Sequence, residues 1–407
     1  MLMFALVAGI TGGVAALAAG WWYSTDSVPE GAFSQYAQRP AQTLPQIEKE
    51  LVRQLLNEIT QCVQAKTGNL LSTGFDLDKI QTASATCLMS VVLLDQEGKV
   101  RPNSEARLQA ILSFLGTSVP LPEVSGSAAV KMTPVPQSQV FTVPVRVGGK
   151  LQQFLLDTGA SSSIIQEATA KGLGLQGMPV PSELLRYSVV GDDCDHIRAT
   201  VFTLPPLQVD RAKVSGLSGM SLNEVPAGLA GVLGMDFLSG YNLYIHPQKG
   251  TMKLLPRTAP QGRDLLPMQG KLGVMTISAN INDKGESPFL LDTGADMMVI
   301  SETEAAGLGI DLRGAETMEV LGFCGTETAK RVKLTSVQIG RHRLTNLEAV
   351  VIKGDILKLL GVKGIVGQNY LNRFEQYWYF GDRNSLGYPT SGFLSLTPII
   401  PVPQGRS

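Results

Sequence analysis

Two short stretches of this sequence carry the same Asp-Thr-Gly-Ala motif after an apolar run. The first is FLLDTGASSSII, residues 154–165, and the second is FLLDTGADMMVI, residues 289–300. An Asp that follows three apolar residues is expected to be partly buried, and a lone buried carboxylate either carries a large desolvation penalty or stays protonated. Asp157 and Asp292 are therefore each expected to need a partner.

The two Asp residues would be partners if a twofold-like arrangement brought their turns together. Paired carboxylates can share one proton, so that one acts as a general base on water while the other donates to a carbonyl oxygen. This chemistry hydrolyses peptide bonds and needs no cofactor. Gly159 and Gly294 allow a sharp turn and a close approach of substrate, and Thr158 and Thr293 can hydrogen-bond across the axis to fix the turns.

The motifs belong to a longer internal repeat. Residues 154–175 align without a gap on residues 289–310, each position is offset by 135, and 13 of the 22 residues are identical. Further on, GVLGMDFL from Gly231 matches GIVGQNYL from Gly364, 74 and 72 residues after the respective Asp. Two copies are too few for a solenoid and favour a pseudo-symmetric pair of β-rich units.

Paired DTGA motifs, each followed at this distance by two apolar residues and Gly, resemble the aspartic proteases. Within that family the short units resemble retropepsin-like subunits, here duplicated in one chain as in the pepsins. The resemblance implies a mainly β protein with two pseudo-symmetric acid-protease β-barrel lobes, here called lobe 1 (residues 140–258) and lobe 2 (265–398). It also implies an intramolecular pseudo-dimer, compatible with a monomeric protein, and a peptide or protein substrate.

The resemblance further implies a role for individual residues. Asp157 and Asp292 would form the catalytic dyad, with Val232–Gly234 and Ile365–Gly367 bracing the two turns and β-hairpin flaps closing over the peptide. The GR[ND] sequence that follows the braces in retroviral enzymes is GMD and GQN here. This departure puts in doubt the Asp-Arg pairing that supports the retroviral dimer.

The flaps are expected near Gly191 in lobe 1 and Gly322 in lobe 2. Cys194 and Cys324 lie close behind these glycines at matching places in the two copies. Facing flap tips would bring the two thiols within disulfide distance, whereas the alternative is that each packs separately as a small apolar residue. For Cys62 and Cys87, burial in a core or one disulfide is favoured over reactive thiols.

Composition excludes several other classes of function. The chain has 407 residues, 44% of them hydrophobic, and a formal net charge of -1. It lacks the basic runs of a nucleic-acid binder, and its three His and four Cys show no familiar metal-ligand spacing. We therefore expect a globular protein without a nucleic-acid partner, a metal site or a cofactor.

The first 22 residues contain no charged side chain and end in a Trp pair, which Tyr23 follows. This pattern is typical of a hydrophobic span closed by an aromatic belt. We expect residues 1–23 to be a membrane anchor with the bulk of the chain exported. The alternatives are a signal segment that is cleaved near Ala18, giving a secreted or periplasmic protein, and a buried helix.

A small helical domain is predicted over residues 40–116. Apolar residues recur at helical spacing from Leu44 to Val63, a second helix follows Ser104, and an apolar element lies between them. Residues 117–139, rich in Pro and Ser, are predicted to be a linker. The helical domain can be a removable pro-segment, a substrate-presenting module or a spacer.

Two functions fit these motifs. The leading hypothesis is a membrane-anchored aspartic endopeptidase, and the alternative is a catalytically silent protein that binds peptides in the same bilobal cleft. Both copies keep the Asp, Thr and Gly of the motif, which favours the enzyme because a binder has no need of two acidic groups in a desolvated cleft.

Overall fold

The computed structural model describes residues 46–68, 77–114, 121–180, 196–225, 229–262, 264–322, 325–384 and 386–399. The predicted membrane segment over residues 1–23 lies outside these ranges, as do Gly191, Cys194 and Cys324 of the predicted flaps. None of the helices in the described ranges is long and apolar enough to span a membrane. The chain is mainly β, with its helices concentrated before residue 115.

The N-terminal helices form a small module whose apolar core is continuous with residues of both lobes. They are α1 (Gln46–Thr67), α2 (Leu77–Leu88), which continues as a π-helical turn (Met89–Leu93), and α3 (Ser104–Phe114). Leu55, Ile59 and Leu108 are fully or almost fully buried in their shared core, as the helical spacing of apolar residues predicts. A disulfide joins α1 to α2 through Cys62 and Cys87.

The predicted linker over residues 117–139 differs in the structure, because part of it is strand. It contributes β1 (Glu123–Ser125), β2 (Ala128–Lys131) and β3 (Thr133–Pro134). These strands pair with strands far along the chain, β1 with residues 213–215 and β2 with residues 251–254. They are short and mostly exposed, so they lack the alternation of apolar residues that marks a strand in sequence.

Within the described part of lobe 1 there are eleven strands and two short helices. The strands are β4 (Phe141–Val147), β5 (Lys150–Leu156), β6 (Ile164–Gln166), β7 (Met178–Val180), β8 (Ala199–Thr203), β9 (Leu207–Val209), β10 (Ala212–Ser215), β11 (Ser218–Leu222), β12 (Gly231–Leu233), β13 (Asn242–His246) and β14 (Thr251–Leu255). The helices are α4 (Glu167–Gly172) and α5 (Met235–Leu238).

Lobe 2 has ten strands and three short helices in the described ranges. The strands are β15 (Leu265–Lys271), β16 (Val274–Ile281), β17 (Glu286–Leu291), β18 (Met298–Ser301), β19 (Glu316–Gly322), β20 (Gly325–Ile339), β21 (His342–Ile352), β22 (Gly364–Val366), β23 (Phe374–Phe380) and β24 (Ser391–Pro398). The helices are α6 (Glu302–Ala305), α7 (Asp355–Leu360) and α8 (Gln368–Leu371).

Two large sheets organise these strands, and the second one joins the lobes. An 11-stranded sheet belongs to lobe 1, whereas a 13-stranded sheet contains the lobe 2 strands together with β2, β13 and β14. At the junction β13 pairs with β23, so that Leu243 lies opposite Trp378. Trp378 is completely buried there, consistent with the packing role expected of an aromatic strand. The shared sheet fixes one lobe against the other.

The repeat in the sequence appears as the same strand arrangement in each lobe. The strand before each motif, β5 or β17, pairs in parallel with the brace strand, β12 or β22. The brace strand in turn pairs antiparallel with the strand that follows the motif, β6 or β18. Each Asp-Thr-Gly turn is therefore anchored at the ends of a three-stranded unit whose core side chains are apolar.

Candidate active site

The two Asp-Thr-Gly turns meet at the interface between the lobes. A methyl group built on Gly159 would lie 2.4 Å from Cγ of Asp292, and one built on Gly294 would lie 2.6 Å from Cγ of Asp157. Each glycine thus lies directly against the aspartate of the other copy. No other residue type fits at either position without moving the carboxylate, which is the physical reason for glycine there.

The two threonines lock the turns together. Thr158 Oγ1 accepts a hydrogen bond from the N–H of Thr293 (3.0 Å) and donates one to the carbonyl oxygen of Leu291 (3.0 Å). Thr293 Oγ1 mirrors it, accepting from the N–H of Thr158 (3.0 Å) and donating to the carbonyl oxygen of Leu156 (2.9 Å). Both threonines are completely buried. Their hydroxyls satisfy four backbone groups that water cannot reach.

Backbone amides hold the two carboxylates in place. The N–H groups of Gly159 and Ala160 donate to Oδ1 of Asp157 at 2.8 and 2.9 Å, and the N–H of Gly294 donates to Oδ1 of Asp292 at 2.7 Å. Asp157 is only 7% exposed, whereas Asp292 is partly exposed. The amides orient each carboxylate without neutralising its charge.

Burial and proximity perturb the acidity of the pair. Burial, followed by the charge of Asp292 and a hydrogen bond with it, raises the pKa of Asp157 well above the usual range for Asp. Burial also raises the pKa of Asp292, although hydrogen bonds from Gly294 and from Asp157 oppose the increase. Two carboxylates this close cannot both ionise readily. The arrangement can therefore hold one proton between them and offer both an acid and a base.

A second layer of residues supports the turns from behind. The N–H groups of Met235 and Gln368, at the starts of α5 and α8, donate to the carbonyl oxygens of Ala160 and Ala295, both at 2.8 Å. Gln368 also donates from Nε2 to the carbonyl oxygen of Thr293 (2.9 Å). Met235 and Gln368 stand where retroviral enzymes have Arg, so helix backbone and one amide side chain provide the support here.

Asp296 makes contacts that take the place of the Asp-Arg pairing of the retroviral dimer, which the sequence puts in doubt. Asp296, four residues after the second catalytic-type Asp, accepts hydrogen bonds from Ser138 Oγ (2.5 Å) and from the N–H of Gln139 (2.6 Å). Asn372 of lobe 2 donates to the carbonyl oxygen of the same Gln139 (2.9 Å). The turn just before lobe 1 is thus held by lobe 2 through neutral donors.

Only part of the predicted flap region can be placed. Gly322 ends β19 and pairs with Gly325 at the end of a hairpin formed by β19 and β20. Met318 and Val320 on this hairpin contact an apolar cluster that includes Leu290 and Ile365 next to the lobe 2 motif. A hairpin therefore stands beside the site in lobe 2, whereas its counterpart near Gly191 is outside the described residues.

The chain is similar to a known protein family over two stretches. The family model of a gag-polyprotein putative aspartyl protease matches twice, over residues 143–240 and 277–373. One similar solved structure is a retropepsin-like aspartic protease from Rickettsia conorii, with 23% identity over 32% of this chain and 89% of that chain and a TM-score of 0.24. Among curated proteins, no match to this chain was found.

The two family matches coincide with the two lobes, and each contains one Asp-Thr-Gly turn and its brace. Each lobe is therefore similar to one unit of this putative aspartyl-protease family.

Proposed function

We propose that the chain is an aspartic endopeptidase in which Asp157 and Asp292 form one catalytic dyad and activate water. The observation that carries the proposal is the reciprocal contact of each motif glycine with the aspartate of the other copy. This contact, together with the paired threonines, juxtaposes two carboxylates that have little use outside acid–base chemistry. The family match supports the same reaction class.

In the proposed mechanism Asp157, the more deeply buried carboxyl, carries the shared proton, and Asp292 is ionised. Water between them attacks the peptide carbonyl carbon while giving a proton to Asp292, and Asp157 donates its proton to the carbonyl oxygen. The resulting tetrahedral diol breaks its C–N bond as the proton on Asp292 passes to the leaving nitrogen. Asp157 recovers its proton from the diol, which returns the dyad to its starting state.

A peptide library tests this proposal against the silent binder. The full chain is incubated with the library between pH 3 and pH 8, next to the Asp157→Asn and Asp292→Asn variants. We expect cleavage by the parent chain and a loss of at least about a thousandfold in each variant, because neither group alone supplies both proton transfers. Peptide binding without cleavage at any pH would instead identify a binding protein.

We further propose that residues 1–23 anchor the protein in a membrane and that the lobes lie on the exported side. The uncharged N-terminal stretch supports the anchor, and the Cys62–Cys87 disulfide supports an oxidising compartment. We expect the protein to stay with membranes after an alkaline wash and to be degraded by protease added to the exported face. Release by the wash with residues 1–18 missing would instead show a cleaved signal.

A further inference from the structure

A loop of lobe 2 crosses to the back of the lobe 1 motif. It joins β23 to β24 over residues 381–390, whereas the matching connection in lobe 1 spans only residues 247–250. Asn384 gives the loop a defined shape, because its Oδ1 accepts from the N–H groups of Leu386 and Tyr388 (3.1 and 3.0 Å). Leu386 and Tyr388 are buried and belong to the apolar cluster that contains Leu155 and Val232 of lobe 1.

Arg383 carries a positive charge from this loop into lobe 1. Its Nη2 donates to Ser239 Oγ (3.1 Å), and Ser239 Oγ donates to the carbonyl oxygen of Met235 (2.6 Å). Ser239 is completely buried directly after α5. Arg383 Nε is buried and has no hydrogen-bond partner within the described part of the chain. A guanidinium desolvated to this degree needs a nearby negative charge.

Asp236 lies on α5 three residues before Ser239, and the guanidinium of Arg257 and the carboxylate of Asp236 are the charged groups that act on Arg383. Asp236 is 8% exposed and accepts hydrogen bonds from the N–H (2.9 Å) and Oγ (2.7 Å) of Ser163 and from the N–H of Phe237 (2.8 Å). Burial raises the pKa of Asp236, and these bonds and the charge of Arg383 lower it. The N–H of Asp236 also donates to the carbonyl oxygen of Ser161 (3.2 Å), within the loop that follows Asp157.

In lobe 2 the residue that matches Asp236 carries no charge. Asn369 stands at the position that matches Asp236, accepts from the N–H of Met298 (2.9 Å) and donates to the carbonyl oxygen of Glu348 (2.7 Å). A neutral amide needs no counter-ion. The two copies thus differ at this buried position. Lobe 1, which has the carboxylate, also receives a cation from lobe 2.

We propose that Arg383 is a positioning residue for the lobe 1 turn: it balances the buried charge of Asp236 and so keeps Ser163 and the loop after Asp157 in their active arrangement. The proposal rests on the proposed function for its effect on catalysis, but not for its effect on the loop. Without Arg383 the buried carboxylate would keep only its hydrogen bonds from Ser163 and Phe237 as compensation at neutral pH. The disturbance of the loop after Asp157 that follows from removing Arg383 should therefore grow as Asp236 ionises.

A double-mutant cycle tests the proposal on the full chain with Arg383→Met, Asp236→Asn and the combined variant. Hydrogen exchange of residues 158–163 is compared with the parent chain at pH 4 and pH 7. At pH 7 we expect Arg383→Met to accelerate exchange about tenfold, a coupling typical of residues that share one buried network. At pH 4 the acceleration should be smaller, because Asp236, whose pKa is raised by burial, takes up its proton as pH falls.

The decisive comparison is rescue by Asp236→Asn, which gives lobe 1 the residue that lobe 2 already uses. The combined variant should exchange within about twofold of Asp236→Asn alone, and kcat on a cleaved peptide should follow the same pattern with KM nearly unchanged. The proposal would be overturned if hydrogen exchange were accelerated equally in Arg383→Met and in the combined variant at both pH values. It would also be overturned if neither of these variants folded.

The exchange measurement separates this proposal from the proposed function. If the parent chain cleaves no peptide but the exchange shows the rescue, the endopeptidase is wrong and the Arg383–Asp236 pairing stands. If the parent chain cleaves peptides and the exchange shows no rescue, the pairing is wrong and the endopeptidase stands.

Discussion

The threonine pair between the lobes offers a direct test of what holds the site together. Thr158→Val keeps the shape of the side chain but removes the hydroxyl, which leaves the N–H of Thr293 and the carbonyl oxygen of Leu291 without their partner. Each buried group left unsatisfied costs roughly 1–3 kcal/mol. The free energy of unfolding should therefore fall by about 2–6 kcal/mol. Because the turn is freed, kcat should fall more than KM rises.

Two variants control for the loss of a methyl and for the loss of an ordinary buried hydroxyl. Thr158→Ser retains both hydrogen bonds and should cost less than about 1.5 kcal/mol. Thr142 is buried in lobe 1 and makes a single side-chain bond, to the carbonyl oxygen of Thr133, so Thr142→Val should cost about 1 kcal/mol. Urea unfolding measures all three. If Thr158→Val proved no more costly than Thr142→Val, the account of the locked turns would be refuted.

Three further predictions address the dyad and the helical module. Gly159→Ala should lower kcat at least about a hundredfold, because the added methyl meets Asp292. Gly172→Ala, where the methyl meets nothing within 4 Å, should leave kcat unchanged. Equal losses of kcat in both variants, measured by peptide kinetics, would contradict this prediction. The raised pKa of Asp157 means that the folded state holds a proton that the unfolded state releases. The stability from this proton is complete in acid and is lost as pH rises through the raised pKa, so urea unfolding between pH 3 and pH 8 should show a steeper decline for the parent chain than for Asp157→Asn. Replacing Cys62 and Cys87, which are 25 residues apart, with Ala should destabilise the helical module by about 3 kcal/mol. This should be seen as faster hydrogen exchange at Leu55 with no change at Trp378, which lies in a separate apolar cluster.

The repeat carried most of what the sequence could predict. Two copies of one motif predict paired lobes and a meeting of Asp157 with Asp292, since each half-buried carboxylate needs a partner that only the other copy supplies. The threonine contact follows from the same symmetry. The repeat could not predict the contacts of residues that differ between the two copies. Arg383 lies in a loop that is longer than the matching connection in lobe 1, so an alignment of the halves leaves Arg383 unmatched.

The predicted linker shows a second limit. Strands β1 and β2 pair with strands about 90 or more residues away, whereas β3 pairs with the nearby β4. Most of the side chains of β1 and β3 face solvent. Local apolar periodicity is absent from such strands because they bury few side chains. The contact of Asp296 with Ser138 and Gln139 is of the same kind, since it depends on where the turn before β4 is placed by the sheet.

The central claim is that the two lobes of one chain form a single active site. A complementation assay tests this claim most directly. Asp157→Asn and Asp292→Asn chains are assayed separately and as an equimolar mixture with a peptide that the parent chain cleaves. We predict that each variant is inactive and that the mixture is no more active, because the shared sheet commits each lobe to its own partner. Restored cleavage in the mixture, or substantial cleavage by either variant alone, would contradict the account.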